Sequence, residues 1–341
     1  MEQTYDKSDA QSIEAFGKRL VNGTLRTITG VRRIPLLDLG RRIYAHGRGS
    51  FGELVETFYY DIHPGNASAP DFPEAGVELK TTPIKQLRTA QYSAKERLVL
   101  GLINYKEESE KKFETSTFFL KNRRLMMISY LSDPNAMVGD LCVKIAKLID
   151  FEKLPQEDQM IIREDWEKIN KKIRDGKAHE LSEGDTLYLG ACTKSVDSSI
   201  LKSQVGDILA KPRAYSFKSG YMTELVRREL GSTALEDEKL MKPSEVGQPL
   251  SFEELVTKRF QPFIGKTVKE ISKSVGKGLN KTSKDYYASL ARRMMGVKGA
   301  RVLEFDAAEV SMKTIQLKCD GMPKEHMSFP AFKYKEIVLY I

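Results

Sequence analysis

The residues best suited to chemistry lie in the stretch Pro70-Asp71-Phe72-Pro73-Glu74-Ala75-Gly76-Val77-Glu78-Leu79-Lys80-Thr81. Pro64, Pro70, Pro73 and Gly76 are turn residues that deliver the chain into a short alternating strand over residues 77–81. Side chains two apart on a strand share a face, so Glu78 and Lys80 point one way while Val77 and Leu79 point into a core. Asp71 lies on the approach to the strand and is placed to fold back beside Glu78. Two carboxylates with an ammonium alongside suit a hard divalent cation. Oxygen ligands hold Mg²⁺, and the lysine orients a water or offsets charge building on a phosphate. An ordinary strand with a solvated Glu/Lys edge has the same pattern, so the surrounding sequence has to decide.

Several elements could position these groups. Residues 12–21 read as a helix with Ile13, Phe16 and Leu20 on one side, and residues 36–42 as a shorter one ending in Arg41 and Arg42. His46-Gly47-Arg48-Gly49-Ser50 is a loop carrying a cation, and Ser50 can cap a helix in which Phe51, Leu54, Val55 and Phe58 recur at helical spacing. Glu56 sits off that apolar stripe, so periodicity alone makes it a solvated carboxylate. Residues 98–103, 118–120 and 125–131 are apolar runs, the last a buried strand. Between Lys80 and Arg124 there are eleven Lys/Arg against five Asp/Glu, a local positive excess that fits either a solvated face or phosphate neutralisation. Residues 160–175 form a helix with Ile162, Trp166, Ile169 and Ile173 as its core stripe, closed by Gly176. Residues 187–190 read as a strand leading to Lys194. In residues 212–221 aromatic and basic side chains interleave, including Arg213 and Lys218, a pattern that suits nucleic acid or an edge strand with a polar outer face. Residues 222–230 close this unit as a helix.

The chain has 341 residues, enough for two domains, and its 40% hydrophobic and 30% charged composition is that of a globular protein. Its apolar runs fall far short of the roughly 20 residues that span a bilayer, and residues 1–10 carry no signal-peptide core. Cys142, Cys192 and Cys319 lie far apart, in neither a disulfide framework nor a metal spacing, which points to a reducing cytoplasm. His46, His63, His179 and His326 do not pair at ligand spacing, which argues against zinc and against a His-based nuclease centre. A net charge of +8 permits a polyanionic partner without requiring one.

Residues 231–250, charged and carrying Pro243, Gly247 and Pro249, read as a linker, after which the chain begins again. Residues 304–314 line up with 71–81: Phe305, Ala308, Val310, Lys313 and Thr314 repeat Phe72, Ala75, Val77, Lys80 and Thr81. Ser311 stands where Glu78 would be, and a helix with Tyr286, Tyr287 and Leu290 replaces the one bearing Glu56. The expectation is a degenerate copy that binds or regulates and does not cut.

Taken in order, residues 47–56, 71–83, 93–100, 163–166, 176–184 and 218–223 resemble blocks of the MutH and Sau-type family of GATC-specific endonucleases, within the PD-(D/E)xK nuclease superfamily. That resemblance implies an α/β restriction-endonuclease-like fold, a mixed sheet flanked by helices. Residues 1–230 would be the catalytic domain, 231–250 the linker and 251–341 a partial, degenerate copy of the same fold. It also implies that Asp71, Glu78 and Glu56 bind Mg²⁺ and that Lys80 assists the attacking water, which reverses the bland reading of Glu56. Arg48, Gly49, Lys121, Lys194, Arg213 and Lys218 would meet DNA. Ser216 stands where MutH has a tyrosine that senses adenine methylation. The implied function is that of a type II restriction endonuclease at GATC sites, with two chains meeting on the duplex or one site acting twice. A MutH-type nickase and a non-catalytic DNA-binding or regulatory module are the alternatives.

Overall fold

The computed structural model describes residues 5–29, 50–62, 69–87, 91–195, 197, 199–231, 239–240, 251–318 and 320–327. Arg48, Gly49 and the helix expected over residues 36–42 lie outside them.

The centre is a four-stranded mixed sheet in the order β2-β1-β4-β5, with β1 at Glu78–Gln86, β2 at Tyr92–Ala94, β4 at Arg124–Leu131 and β5 at Val143–Asp150. β1 and β4 run parallel, with Glu78 beside Leu125 and Lys80 beside Met127, and the other pairs are antiparallel. A second, antiparallel sheet has the order β3-β7-β6, with β3 at Leu98–Leu102, β6 at Leu189–Thr193 and β7 at Arg213–Phe217.

The apolar alternation of β4 explains why both faces of the central sheet are covered. Met126 and Ile128 point into one cluster with Leu79, Val143 and the helix α1 (Ala10–Lys18) residues Ile13 and Phe16. Leu125 and Met127 point the other way, into the larger cluster with Phe113, Trp166, Ile169 and Phe217. The long helix α6 (Gln156–Arg174) supplies Trp166 and its stripe to that second cluster. Shorter helices are α2 (Leu25–Thr29), α3 (Ser50–Leu54), α4 (Tyr105–Glu108) and α5 (Thr117–Asn122). The sheet-bearing part ends with α7 (Ser219–Glu229).

Two boundaries differ from expectation for a local reason. α6 begins four residues early, after Pro155, which presets the entering backbone. The strand expected at residue 187 begins at Leu189, because the Asp165 carboxylate accepts the backbone N–H groups of Leu187 (2.9 Å) and Tyr188 (2.6 Å). β5 was not anticipated. Its lysines Lys144 and Lys147 interrupt the apolar run, as suits a strand at the sheet's edge.

Beyond residue 250 the described chain is helical: α8 (Phe252–Phe260), α9 (Val268–Val275), α10 (Tyr286–Met294) and α11 (Leu303–Ala307). Capping boxes at Ser251/Glu254 and Thr267/Glu270 start the first two. Phe252, Leu255, Met295, Val297 and Phe305 join the large core, while Ile271, Tyr286 and Leu290 form a satellite cluster. The helix expected around Tyr286 is present. The segment aligned with the 71–81 stretch, however, is the helix α11 followed by residues 309–316 outside any strand. β1 is a strand because β4 and β2 take its backbone groups on both sides; residues 309–316 find no such neighbours among the described residues. Among the described residues, no helix is long and apolar enough to cross a membrane.

Candidate active site

Asp71 reaches Glu78 through a tight return of the chain. Phe72 and Val77 exchange two backbone hydrogen bonds, at 2.9 and 3.1 Å, and Gly76 between them has φ +63°, a conformation that favours glycine. The return is then fixed from both sides: Asp71 N–H donates to Glu78 Oε2 at 3.2 Å, and Asp71 Oδ2 accepts from Leu79 N–H at 2.9 Å. Lys80, two residues along the strand, donates from Nζ to Glu78 Oε1 at 2.6 Å. Lys121, at the end of α5, brings a second ammonium to the same oxygen at 3.4 Å. Glu78 is therefore buried, at 2% exposure, with cations on one of its oxygens and a backbone N–H on the other.

Glu56 arrives on a different element. After α3 the helix widens into a single π turn, Val55–Tyr59, closed by Tyr60 N–H to Val55 C=O at 2.9 Å. The extra residue in this turn shifts the phase of the helix, so that Tyr59 and Tyr60 enter the core and Phe58 is left half-buried. Gly52 lets this helix lie close over β1, since a Cβ there would stand 2.9 Å from the Thr81 hydroxyl. Glu56, half-buried, has its pKa pushed up to about 7, first by burial and then by the negative charge of Asp71, with Glu78 and Glu53 adding to it and Lys80 opposing. Burial likewise raises Glu78, against the pull of Lys80 and Lys121.

Among the described residues, no three Asp, Glu, His or Cys side chains already form a group that could hold a metal ion. The layering accounts for this. Glu78 and Lys80 project to the face of β1 opposite Leu79, whereas the apolar side chains of the Glu56 helix pack in the cluster that contains Leu79. What converges is charge: burial first, and then the negative charges of Asp71 and Glu78, raise the Glu56 carboxyl, so these three carboxylates are an all-oxygen donor set within electrostatic range of one another. A hard divalent cation fits that donor set, by oxygen chemistry and by charge.

The expected DNA-facing residues are distributed unevenly. Lys194 is exposed just past β6, its backbone N–H bonded to Pro212 C=O at 2.9 Å. Arg213 is half-buried and donates from Nη1 to Ala191 C=O at 2.7 Å. Lys218 differs from the expectation of a phosphate contact. It is 7% exposed, and its Nζ donates to Glu183 C=O at 2.6 Å and to Thr186 C=O. Burial lowers its pKa, opposed by Asp165 and Glu183. Ser216 is fully buried on β7, opposite Gly190. Two features went unread in the sequence. Gly52 could have been picked out as a small residue one turn before an acidic one. The exposed Arg97–Glu183 ion pair joins positions 86 apart, and no local pattern announces it.

The MutH family, described as DNA mismatch repair enzyme MutH, matches residues 60–165. The chain is 38% identical over 299 residues to the type II restriction enzyme Sau3AI of Staphylococcus aureus, across 85% of this chain and 60% of that protein. It is 27% identical over 194 residues to the DNA mismatch repair protein MutH of Shewanella oneidensis, across 54% of this chain and 81% of that one. The mixed sheet and the acidic turn both lie inside the region that matches the MutH family, and the chain spans about 60% of the length of the restriction enzyme it resembles.

Proposed function

We propose that the chain is a Mg²⁺-dependent endonuclease that hydrolyses DNA phosphodiester bonds at GATC sites in the manner of a type II restriction enzyme. The observation that carries this is the Asp71–Glu78–Lys80 element, bound together by three hydrogen bonds and electrostatically coupled to Glu56, whose carboxyl is pushed up to about 7 by burial and by the charges of Asp71 and Glu78. Asp71, Glu78 and Glu56 would hold the ion, which when bound supplies Lewis acidity at the scissile phosphate and makes a coordinated water more acidic. Lys80 holds its ammonium at the mouth of the acidic turn, where it orients a water for in-line attack on phosphorus and steadies the charge that builds as the P–O bond to the leaving sugar breaks. Lys80, and after it Lys121, oppose the rise that burial imposes on the Glu78 carboxyl and so favour the charged form that a ligand needs. Exposed Lys194 and half-buried Arg213 belong to the duplex-facing surface, with double-stranded DNA as the partner and two chains serving the two strands. The reading places the protein in the cytoplasm and assigns residues 251–341 a binding or regulatory part.

Supercoiled plasmid containing GATC, incubated with Mg²⁺ or with EDTA, tests the proposal. Linear product with Mg²⁺ alone, lost in Asp71→Ala, is expected. Retarded migration without cutting under both conditions would leave a DNA-binding module instead. The MutH-family match over residues 60–165 favours a second reading, strand nicking. It predicts open circles on hemimethylated plasmid and little linear product.

A further inference from the structure

We infer that Lys218, with Asp165, is a positioning residue for the DNA-reading surface and not itself a DNA contact; this rests on the endonuclease reading above. The chain between α6 and β6 has no ladder of its own, so its backbone groups must find side chains. From one side Asp165, 1% exposed, accepts the N–H groups of Leu187, Tyr188 and Leu189 at 2.9, 2.6 and 2.9 Å. From the other side the Lys218 ammonium takes the carbonyls of Glu183 and Thr186. A buried carboxylate thus gathers the donors of residues 187–189, and a buried ammonium gathers acceptors just before them.

A lysine at 7% exposure is rare, and two buried charges that each meet only backbone groups are seldom the more stable choice over apolar side chains of similar volume. What the pair gives is geometry. The residue whose carbonyl Lys218 holds, Glu183, turns its carboxylate outward to the exposed guanidinium of Arg97. The same carboxylate approaches β6, since a Cβ at Gly190 would stand 3.2 Å from Glu183 Oε2 and 3.5 Å from Lys218 Cε. The segment held by Asp165 runs directly into β6, which ends beside Lys194. One inward clamp therefore sets both the height of the Arg97–Glu183 pair and the origin of the strand that presents Lys194.

A phosphate contact and a positioning residue leave different signatures. Losing a phosphate contact lowers affinity alike for all sequences and reduces the slope of log K against log salt by about one. Losing a positioning residue leaves that slope intact and erodes discrimination. The full chain and its Lys218→Met variant are compared in Ca²⁺ on a GATC duplex and a scrambled duplex across a salt series, with Lys194→Met as the exposed-cation control. We expect Lys218→Met to keep the wild-type slope and scrambled-duplex affinity while preference for GATC falls roughly ten- to hundredfold. In the DNA-free protein the amides of residues 187–189 should exchange faster. A slope reduced by about one would overturn the inference in favour of a direct contact. A lower Tm with unchanged preference would overturn it in favour of a purely structural role. If Lys218→Met does not fold, Lys218→Arg decides: the charge is kept but the planar fork cannot reproduce the two carbonyl bonds, so preference should fall at unchanged slope, and full retention of preference refutes positioning. If the unaltered protein binds no DNA, the endonuclease reading fails. Amide exchange then judges the clamp alone: faster exchange upholds it and unchanged exchange sinks it.

Discussion

Replacing Glu56 with glutamine should make the ion-free protein more stable at alkaline pH while abolishing cleavage. The Glu56 carboxyl is moved from its ordinary 4.5 up to about 7 by burial and by the charges of Asp71 and Glu78. Below about pH 4.5 the group is protonated in both folded and unfolded chains and contributes no difference. As pH rises towards 7 the unfolded chain gives up this proton and the folded protein keeps it, so relative stability drains away and the penalty is complete above 7. At about 1.36 kcal/mol per pH unit, the span amounts to roughly 3 kcal/mol. Glu56 is only half-buried, and solvent screening reduces this to about 1–2 kcal/mol. Thermal melts in EDTA at pH 5 and pH 8 should show Glu56→Gln melting on the order of 2–5 °C higher at pH 8 and close to wild type at pH 5. Mg²⁺ should raise the Tm of the wild type more than that of the variant, because a ligand that binds only the folded state stabilises in proportion to its affinity. A variant less stable than wild type at pH 8, or equally stabilised at both pH values, would refute the idea that acidic repulsion loads this site.

Lys80→Met should lower single-turnover cleavage on the order of 10²–10³-fold with duplex affinity within a few-fold of wild type, read by quench-flow beside equilibrium binding. Gly220→Ala should unseat the turn after α11: a Cβ there would lie 2.5 Å from Ala307 C=O and 2.8 Å from Asp306 C=O, so overpacking of about 1–3 kcal/mol is expected, with faster proteolysis inside residues 251–318. Trp166→Ala removes a fully buried ring that meets Phe113 edge-on at 5.7 Å, and should cost about 3–5 kcal/mol in urea denaturation.

What could be read from the sequence was whatever is decided within a few residues. The return that brings Asp71 beside Glu78 is written in Pro70, Pro73 and Gly76, and the alternation of β1 fixes which side chains share a face. The core stripe of α6 is equally local. The burial of Glu78 was not legible, because it depends on α5 and β4 closing over a central strand. The π turn was missed for a related reason: the i, i+3, i+4, i+7 spacing of Phe51, Leu54, Val55 and Phe58 counts an uninterrupted α-helix, whereas the demand to bury both Tyr59 and Tyr60 is met by adding a residue to the turn.

The two lysines most plainly basic in sequence show why charge alone misleads. Lys218 stands in an aromatic-basic run that suits DNA, yet the strand-to-helix junction at Phe217–Ser219 turns it inward, where the Glu183 and Thr186 carbonyls receive it. Lys80 lies in a stretch that fits a solvated edge equally well, yet the carboxylate two residues away holds it at the acidic turn. A lysine's role here is set by which acceptor its four-carbon stem can reach once the strands are paired. That depends on register between segments far apart in the chain, and it is why a resemblance that puts Lys218 on DNA carries no sign of the two loop carbonyls its ammonium meets.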